Sequence, residues 1–110
     1  MLKKQNRLGK ITKTKGNKLF TSPLFNVRIS ENKENKTRFA FIVSKKIDKR
    51  AVIRNQTKRV LRSAVEEVIG KLKLGKDIIV ISKKALTPGQ KEDVLNALKV
   101  ISKQANIENE

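Results

Sequence analysis

The sequence of 110 residues contains no cysteine and no histidine, and it also lacks tryptophan and tyrosine. Without Cys or His it can form no disulfide, thiol nucleophile, imidazole acid–base catalyst or zinc site built on those two residue types. A cysteine-free chain fits the reducing cytoplasm, which is the localisation we expect.

Acidic residues are scarce: 10 Asp and Glu stand against 27 Lys and Arg, which gives a net charge of +17. The excess is uneven, because residues 1–65 hold 19 basic and 3 acidic residues, whereas residues 66–110 hold 8 and 7. Such a charge disfavours a compact chain unless a polyanion neutralises it. Nucleic acid is therefore the leading partner class, and an anionic membrane surface comes second.

Long apolar runs are also missing. The longest strictly apolar run is Phe39–Val43, far too short to span a bilayer. The basic N-terminus is not followed by the apolar region of a secretory signal. The length predicts a single domain over residues 1–110, with a polar tail at 106–110 that we expect to fray.

Hydrophobic periodicity predicts an α+β fold. Residues 19–30 and the run "RFAFIVS" read as two strands of an antiparallel hairpin, the second of them central in the sheet. A basic helix follows Asp48, which we expect to cap it, and is ended by Gly70 and the segment after it. "DIIVIS" predicts a short buried strand, and "TPGQ" predicts a capping box that opens a last helix.

Residues 1–18 predict either a short helix or a mobile basic arm. Together the elements make a small mixed sheet with helices packed on it, in an αβββαβα-like order.

The basic helix carries two distinct faces. Because each residue turns a helix by about 100°, five polar donors fall within one arc of roughly 140°: Arg54, Asn55, Lys58, Arg59 and Arg62. Ile53, Thr57, Val60, Leu61, Ala64 and Val68 fall on the other side. The helix offers these cations almost no acids, so they are suited to phosphate oxygens. The plainer interpretation is a solvated basic face.

Two further features could bind nucleic acid. "SKK" at residues 44–46 ends a strand and adds two cations beside the helix. Phe20 lies at the beginning of the first strand and could stack on an unpaired base, although most Phe residues at strand spacing belong to the core.

The stretch "SKKIDKRAVIRNQTKRVLRSAV" resembles the protein component of bacterial ribonuclease P. That family shows a Ser-Lys-Lys strand end, a short turn, and a helix reading Lys-Ala-Val-x-Arg-Asn-x-x-Lys-Arg-x-x-Arg. The spacing matches here without a gap. The basic N-terminal segment, "SPLFNVR" and "GKDIIVIS" agree with the family in order and length.

The resemblance implies the small protein cofactor of a ribozyme. The catalytic RNA removes the 5′ leader of precursor tRNA with Mg²⁺ that the RNA mainly holds, and the protein donates no catalytic side chain. It also implies a left-handed βαβ crossover. The partners implied are the catalytic RNA and precursor tRNA, with neither DNA nor membrane, and we expect the protein itself to be monomeric.

Carried over residue by residue, the resemblance implies these RNA-binding residues: Ser44, Lys45, Lys46, Arg50, Arg54, Asn55, Gln56, Lys58, Arg59 and Arg62. Gln56 departs from the family, which commonly has Arg there. The family's N-terminal segment usually supplies two Phe to a cleft for the leader. The nearest positions here are Leu8 and Thr12, which strengthens the case for Phe20.

Other functions remain open. A general RNA-binding or ribosomal protein would bind RNA equally well without aiding leader removal. A DNA-binding module is weaker, because the helix lacks a helix-turn-helix partner. A stand-alone nuclease would need clustered carboxylates, and residues 1–65 contain only Glu31, Glu34 and Asp48. A membrane-surface helix would need the apolar face that we expect to cover the sheet.

Overall fold

The computed structural model describes residues 18–31, 36–73 and 75–105. Four strands and two helices follow one another as β1 (Lys18–Thr21), β2 (Phe25–Glu31), β3 (Arg38–Ile42), α1 (Ala51–Val68), β4 (Lys76–Ser82) and α2 (Lys91–Gln104). Short 3-10 turns, Ile69–Lys71 and Pro88–Gln90, follow α1 and precede α2. The predicted α+β fold with a small mixed sheet is confirmed.

The strands lie in the order β1-β2-β4-β3. β4 is antiparallel to β2 and parallel to β3, so the predicted hairpin between β2 and β3 is wrong, and β3 lies at an edge of the sheet. The central place belongs to β4 because five of its seven residues are buried, whereas only one residue of β3 is. The connection from β3 through α1 to β4 joins parallel neighbours, as the resemblance implies; its hand stays a prediction.

The single strand predicted over residues 19–30 is two strands separated by a tight turn. Ser22 N–H donates to the Phe25 carbonyl at 3.0 Å, and Phe25 N–H donates to Ser22 Oγ at 3.1 Å. Pro23 lies inside this turn, where its missing N–H leaves no strand pairing unmade. β1 then folds back on β2 with Phe20 opposite Val27.

The core lies between one face of the sheet and the two helices. Alternate residues of β2, β4 and β3 point into it, and they meet one face of each helix in a single buried cluster. α1 buries Thr57, Val60, Leu61, Ala64, Val65 and Val68. This agrees with the predicted apolar face, except that Ile53 is only half-buried.

An ion pair fixes the register of the parallel strands. Arg38 and Asp77 are direct partners across β3 and β4, and two hydrogen bonds of 2.9 Å join the guanidinium to the carboxylate. Asp77 is buried, so the paired geometry compensates for its lost hydration.

The helix ends differ partly from the prediction. The capping box before α2 is present, and Thr87 N–H donates to Gln90 Oε1 at 2.9 Å. The residue that precedes α1 is Arg50 and not Asp48. A Cβ added at Gly70 would meet open space. Gly75, in contrast, adopts φ 85° just before β4, a conformation that favours glycine.

The predicted N-terminal helix or arm and the fraying tail at 106–110 lie outside the described residues.

Candidate nucleic-acid interface

The outer face of α1 carries the polar donors that the sequence predicts on one side of this helix. Asn55 and Arg59 are exposed, and Lys58 is half-buried. Within the described ranges, none of these three side chains has a hydrogen-bond or ion-pair partner. Their donors are therefore available to a ligand.

Arg62 lies at the border of this face. Its guanidinium carbon lies 5.7 Å from the centroid of the Phe41 ring on β3, which is within the range of a cation–π contact. Phe41 in turn stacks on Phe39, with ring centroids 6.3 Å apart. The contact holds the guanidinium of Arg62 beside the edge strand β3.

Two arginines at the beginning of α1 have partners inside the protein. Arg54 Nη1 donates to the carbonyls of Asp48 at 3.1 Å and Lys49 at 2.7 Å. Arg50 makes two hydrogen bonds, of 3.1 and 2.9 Å, to the carboxylate of Asp48. These contacts shape the turn before the helix, so both residues serve the protein's own structure as well as any ligand.

The pKa of the Asp48 carboxyl reflects its contacts with Arg50. The Arg50 side chain, followed by its backbone N–H, lowers the pKa of the Asp48 carboxyl from 3.8 to about 2. The same contact raises the pKa of the Arg50 guanidinium above its usual value. Asp48 therefore accepts the N–H of Arg50 ahead of the helix, and the prediction that it caps the first turn is wrong.

A buried hydroxyl anchors α1 from its inner face. Thr57 is fully buried; its Oγ1 donates to the Ile53 carbonyl and accepts the N–H of Leu86, each at 3.0 Å. Leu86 directly precedes the capping box of α2. Thr57 thus links α1 to the chain that enters α2, and it fixes which face of α1 is turned outward.

The first Ser-Lys-Lys stretch forms a tight turn after β3. Ile47 N–H donates to the Ser44 carbonyl at 3.0 Å, and Ser44, Lys45 and Lys46 are all exposed. The turn leads into α1, so Lys45 and Lys46 come just before this helix in the sequence.

A second Ser-Lys-Lys stretch lies at the same end of the sheet. Ser82 is the last residue of β4, the parallel neighbour of β3, and Lys83 and Lys84 follow it; Ile42 pairs with Ile81. Lys83 Nζ donates to the Ser22 carbonyl at 2.8 Å, and Lys84 is exposed. The sequence analysis missed these two lysines. The repeated tripeptide was the available signal, because the carboxyl ends of parallel strands lie at one edge.

Of the three residues expected to contact a leader, Phe20 lies in the described part of the chain. Phe20 is half-buried and packs against the core, on the same sheet face as its partner Val27. Leu8 and Thr12 lie outside the described residues. Gln56 is half-buried and lines a depression with Arg59, Val60, Ser63, Pro88 and Lys91.

The donors on this surface are of the kinds that bind nucleic acid. Within residues 18–31, 36–73 and 75–105, no three His, Cys, Asp or Glu side chains are grouped so that they could hold a metal ion. No helix in that part of the chain is long and apolar enough to cross a membrane. Guanidinium, ammonium and amide donors on a helix face suit the phosphates and sugars of a nucleic acid.

Comparison with known proteins identifies the family. The family model described as ribonuclease P matches residues 1–106. The ribonuclease P protein component of Microcystis aeruginosa (strain NIES-843 / IAM M-2473) is 34% identical over 71 residues, which are 64% of this chain and 59% of that protein. The corresponding protein of Syntrophomonas wolfei subsp. wolfei (strain DSM 2245B / Goettingen) is 38% identical over 73 residues, with coverages of 63% and 60%. The match thus spans about three fifths of the relatives' length.

A solved structure has the same fold. The Staphylococcus aureus ribonuclease P protein, in a mutant with defective mRNA degradation activity, superposes with a TM-score of 0.69 at 32% identity. The superposition covers 84% of this chain and 78% of the other. The helix motif and the sheet order agree with this family match, which extends over almost the whole chain. This chain belongs to the ribonuclease P protein family.

Proposed function

We propose that this protein is the protein subunit of ribonuclease P. It binds the catalytic RNA and the 5′ leader of precursor tRNA, and it aids the Mg²⁺-dependent endonucleolytic removal of that leader. The observation that carries the proposal is the outer face of α1. There Asn55, Lys58 and Arg59 lie without partners among the described residues, in the helix that bears the family signature.

The two basic regions bind different parts of the RNA. The outer face of α1, from Arg54 to Arg62, docks the catalytic RNA. The two Ser-Lys-Lys stretches, 44–46 and 82–84, lie at one end of the sheet, and their lysines bind phosphates of the leader or of nearby RNA. Phe20 contacts the leader.

The RNA supplies the catalytic chemistry. Mg²⁺ ions are held mainly by the catalytic RNA, and the protein contributes positioning and charge neutralisation. Support comes from the side chains themselves, because the interface offers amide, ammonium and guanidinium donors, whereas Mg²⁺ prefers carboxylate and carbonyl oxygens. We place the particle in the cytoplasm, with one protein monomer per RNA.

The test is cleavage of precursor tRNA by the cognate catalytic RNA at low Mg²⁺, with and without the protein. We expect wild-type protein to stimulate leader release and the double variant Lys58→Gln/Arg59→Gln to lose most of that stimulation. Lys99→Gln, an exposed cation on α2, is the control and should behave as wild type. The double variant is preferable to Arg54→Ala, which would also release the turn at Asp48.

Two results would reject the proposal. If the protein binds the catalytic RNA tightly but leaves cleavage unchanged, it is a general RNA-binding or ribosomal protein. If the double variant and the Lys99→Gln control stimulate equally well, the outer face of α1 is a solvated surface, and the docking site lies elsewhere.

A further inference from the structure

The first turn of α1 exposes apolar side chains. Val52 is 76% exposed, the largest value among the large hydrophobic residues of the described chain, and Ala51 beside it is also exposed. A single exposed apolar residue is ordinary on a protein surface. Val52 is of interest for two reasons. It lies on the same helix face as the polar donors, and it occupies a first-turn position at which an acidic residue would stabilise the helix.

Val52 lies in line with the polar donors of α1. It precedes Asn55 by three residues, Gln56 by four and Arg59 by seven, which are the spacings of one helix face. On an ideal helix, Val52 and Arg59 point within roughly 20° of each other. The valine therefore continues the outer face toward the beginning of the helix, among groups suited to phosphates.

Helix stability does not account for this residue. A β-branched side chain loses rotamer freedom in a helix, and the first turn favours acidic residues that complement the helix dipole. The first turn of α1 contains no acid, and no side chain caps it. An acid there would repel a bound phosphate chain, whereas a small apolar side chain would not.

We propose that Val52 makes an apolar contact with the catalytic RNA, against the ribose or base face of a nucleotide whose phosphates are held by Asn55 and Arg59. The inference rests on the proposed function, since it takes RNA as the partner of this face. RNA is favoured over an apolar protein surface because the valine shares its helix face with the guanidinium of Arg59 and the amides of Asn55 and Gln56. Val52 is then a contact residue whose contribution to binding does not depend on charge.

That property gives the proposal a distinctive signature. Cations that neutralise phosphates release counterions, so removing Arg59 should make the dependence of log affinity on log salt shallower by about 0.7 to 0.9. An apolar contact releases none. Removing the Val52 side chain should lower affinity by about 3- to 20-fold at every salt concentration and leave the slope unchanged.

The experiment measures binding of the cognate catalytic RNA across a series of salt concentrations for wild type, Val52→Ser, Val52→Ile and Val100→Ser. Val100, on α2, is the matched control because it is also an exposed helical valine, at 55%. We expect a parallel loss for Val52→Ser and affinity within twofold of wild type for Val52→Ile and Val100→Ser. Thermal unfolding verifies that each variant is folded. Should Val52→Ser fail to fold, Val52→Thr keeps the branched shape and takes its place.

The outcomes separate the two proposals. If wild-type protein neither binds this RNA nor stimulates cleavage, the proposed function fails. If wild type does both, but Val52→Ser binds as Val100→Ser does or changes the salt slope, the apolar contact is refuted and the proposed function stands.

Discussion

α1 and α2 pack into the same core, yet their ends follow opposite rules. α2 begins with a capping box, carries Glu92 and Asp93 in its first turn, and has Lys103 in its last turn. Each of these features complements the orphan backbone groups or the dipole of a helix. α1 has no side-chain cap, no acid in its first turn and no base in its last turn.

The difference shows where each helix obtains its stability. α2 is stabilised by its own sequence, whereas α1 relies on its buried face and on the Thr57 hydroxyl that accepts the Leu86 N–H. α1 can therefore leave its outer face and its beginning to a ligand. The inner face of α1 is well packed, but its ends lack the capping residue and the charges that usually stabilise a helix. This combination indicates that α1 is a binding element.

The largest test of this contrast removes cations from one helix at a time. We expect Lys58→Gln/Arg59→Gln/Arg62→Gln in α1 to lower affinity for the catalytic RNA about 100-fold near physiological salt, with a salt slope shallower by about 2 to 3. Lys99→Gln/Lys103→Gln in α2 should leave the slope within about 0.5 of wild type. An equal loss per charge in both helices would show that only net charge matters.

The second test concerns the core, where the helices should be alike. Leu61 of α1 and Leu98 of α2 are 1% and 6% exposed. Each Leu→Ala change should lower the free energy of unfolding by about 2 to 5 kcal/mol, because it removes buried methyl groups and leaves a cavity. Denaturant unfolding gives these values. A far smaller loss at Leu61 would contradict the view that α1 depends on its inner face.

The third test exchanges the rules at the helix ends. Gln90→Ala removes the acceptor of the Thr87 N–H before α2 and should lower stability by about 0.5 to 1.5 kcal/mol without affecting RNA binding. Ala51→Glu places an acid in the first turn of α1, which contains none. It should raise the free energy of unfolding by about 0.3 to 1 kcal/mol and weaken RNA binding severalfold. Unfolding and binding measured on both variants check the exchange; unchanged RNA binding by Ala51→Glu would argue against a phosphate chain near this turn.

The smallest effect is in the pH dependence of the turn before α1. The Asp48 pKa falls from 3.8 to about 2 on folding, so its stabilising contribution is complete above pH 3.8 and is lost as the pH falls through about 2. An NMR titration of the Asp48 carboxyl should give a midpoint near 2 in wild type. In Arg50→Ala we expect the midpoint to rise toward 3.8 but to stay below it, because the backbone N–H of residue 50 still donates to the carboxylate. An unchanged midpoint would exclude the Arg50 side chain as the main cause.

Local patterns predicted both helices and the strands β3 and β4, although they merged β1 and β2 into one strand. They also predicted the faces of α1, since helical spacing alone separates Thr57 and Leu61 from Arg59. They failed on the sheet order, because an apolar run such as Phe39–Val43 shows that a strand is covered but not which strand lies beside it. The partners of Arg54 were also beyond prediction, since they are backbone carbonyls in a turn whose course depends on the fold. Lys83 and Lys84 join the candidate site only because β3 and β4 are parallel.

The position of β4 has a consequence for how the chain is made. In the described sheet β3 pairs with β4 alone, and β4 is the last of the four described strands along the chain, so it leaves the ribosome after the other three. Until residue 82 has emerged, β3 and α1 have no complete sheet on which to pack, so we expect them to stay unfolded beside the ribosome. A nascent chain stalled before residue 76 should therefore be cut readily by protease, whereas one stalled well beyond residue 105 should resist; early resistance would mean that α1 is ordered before its sheet exists.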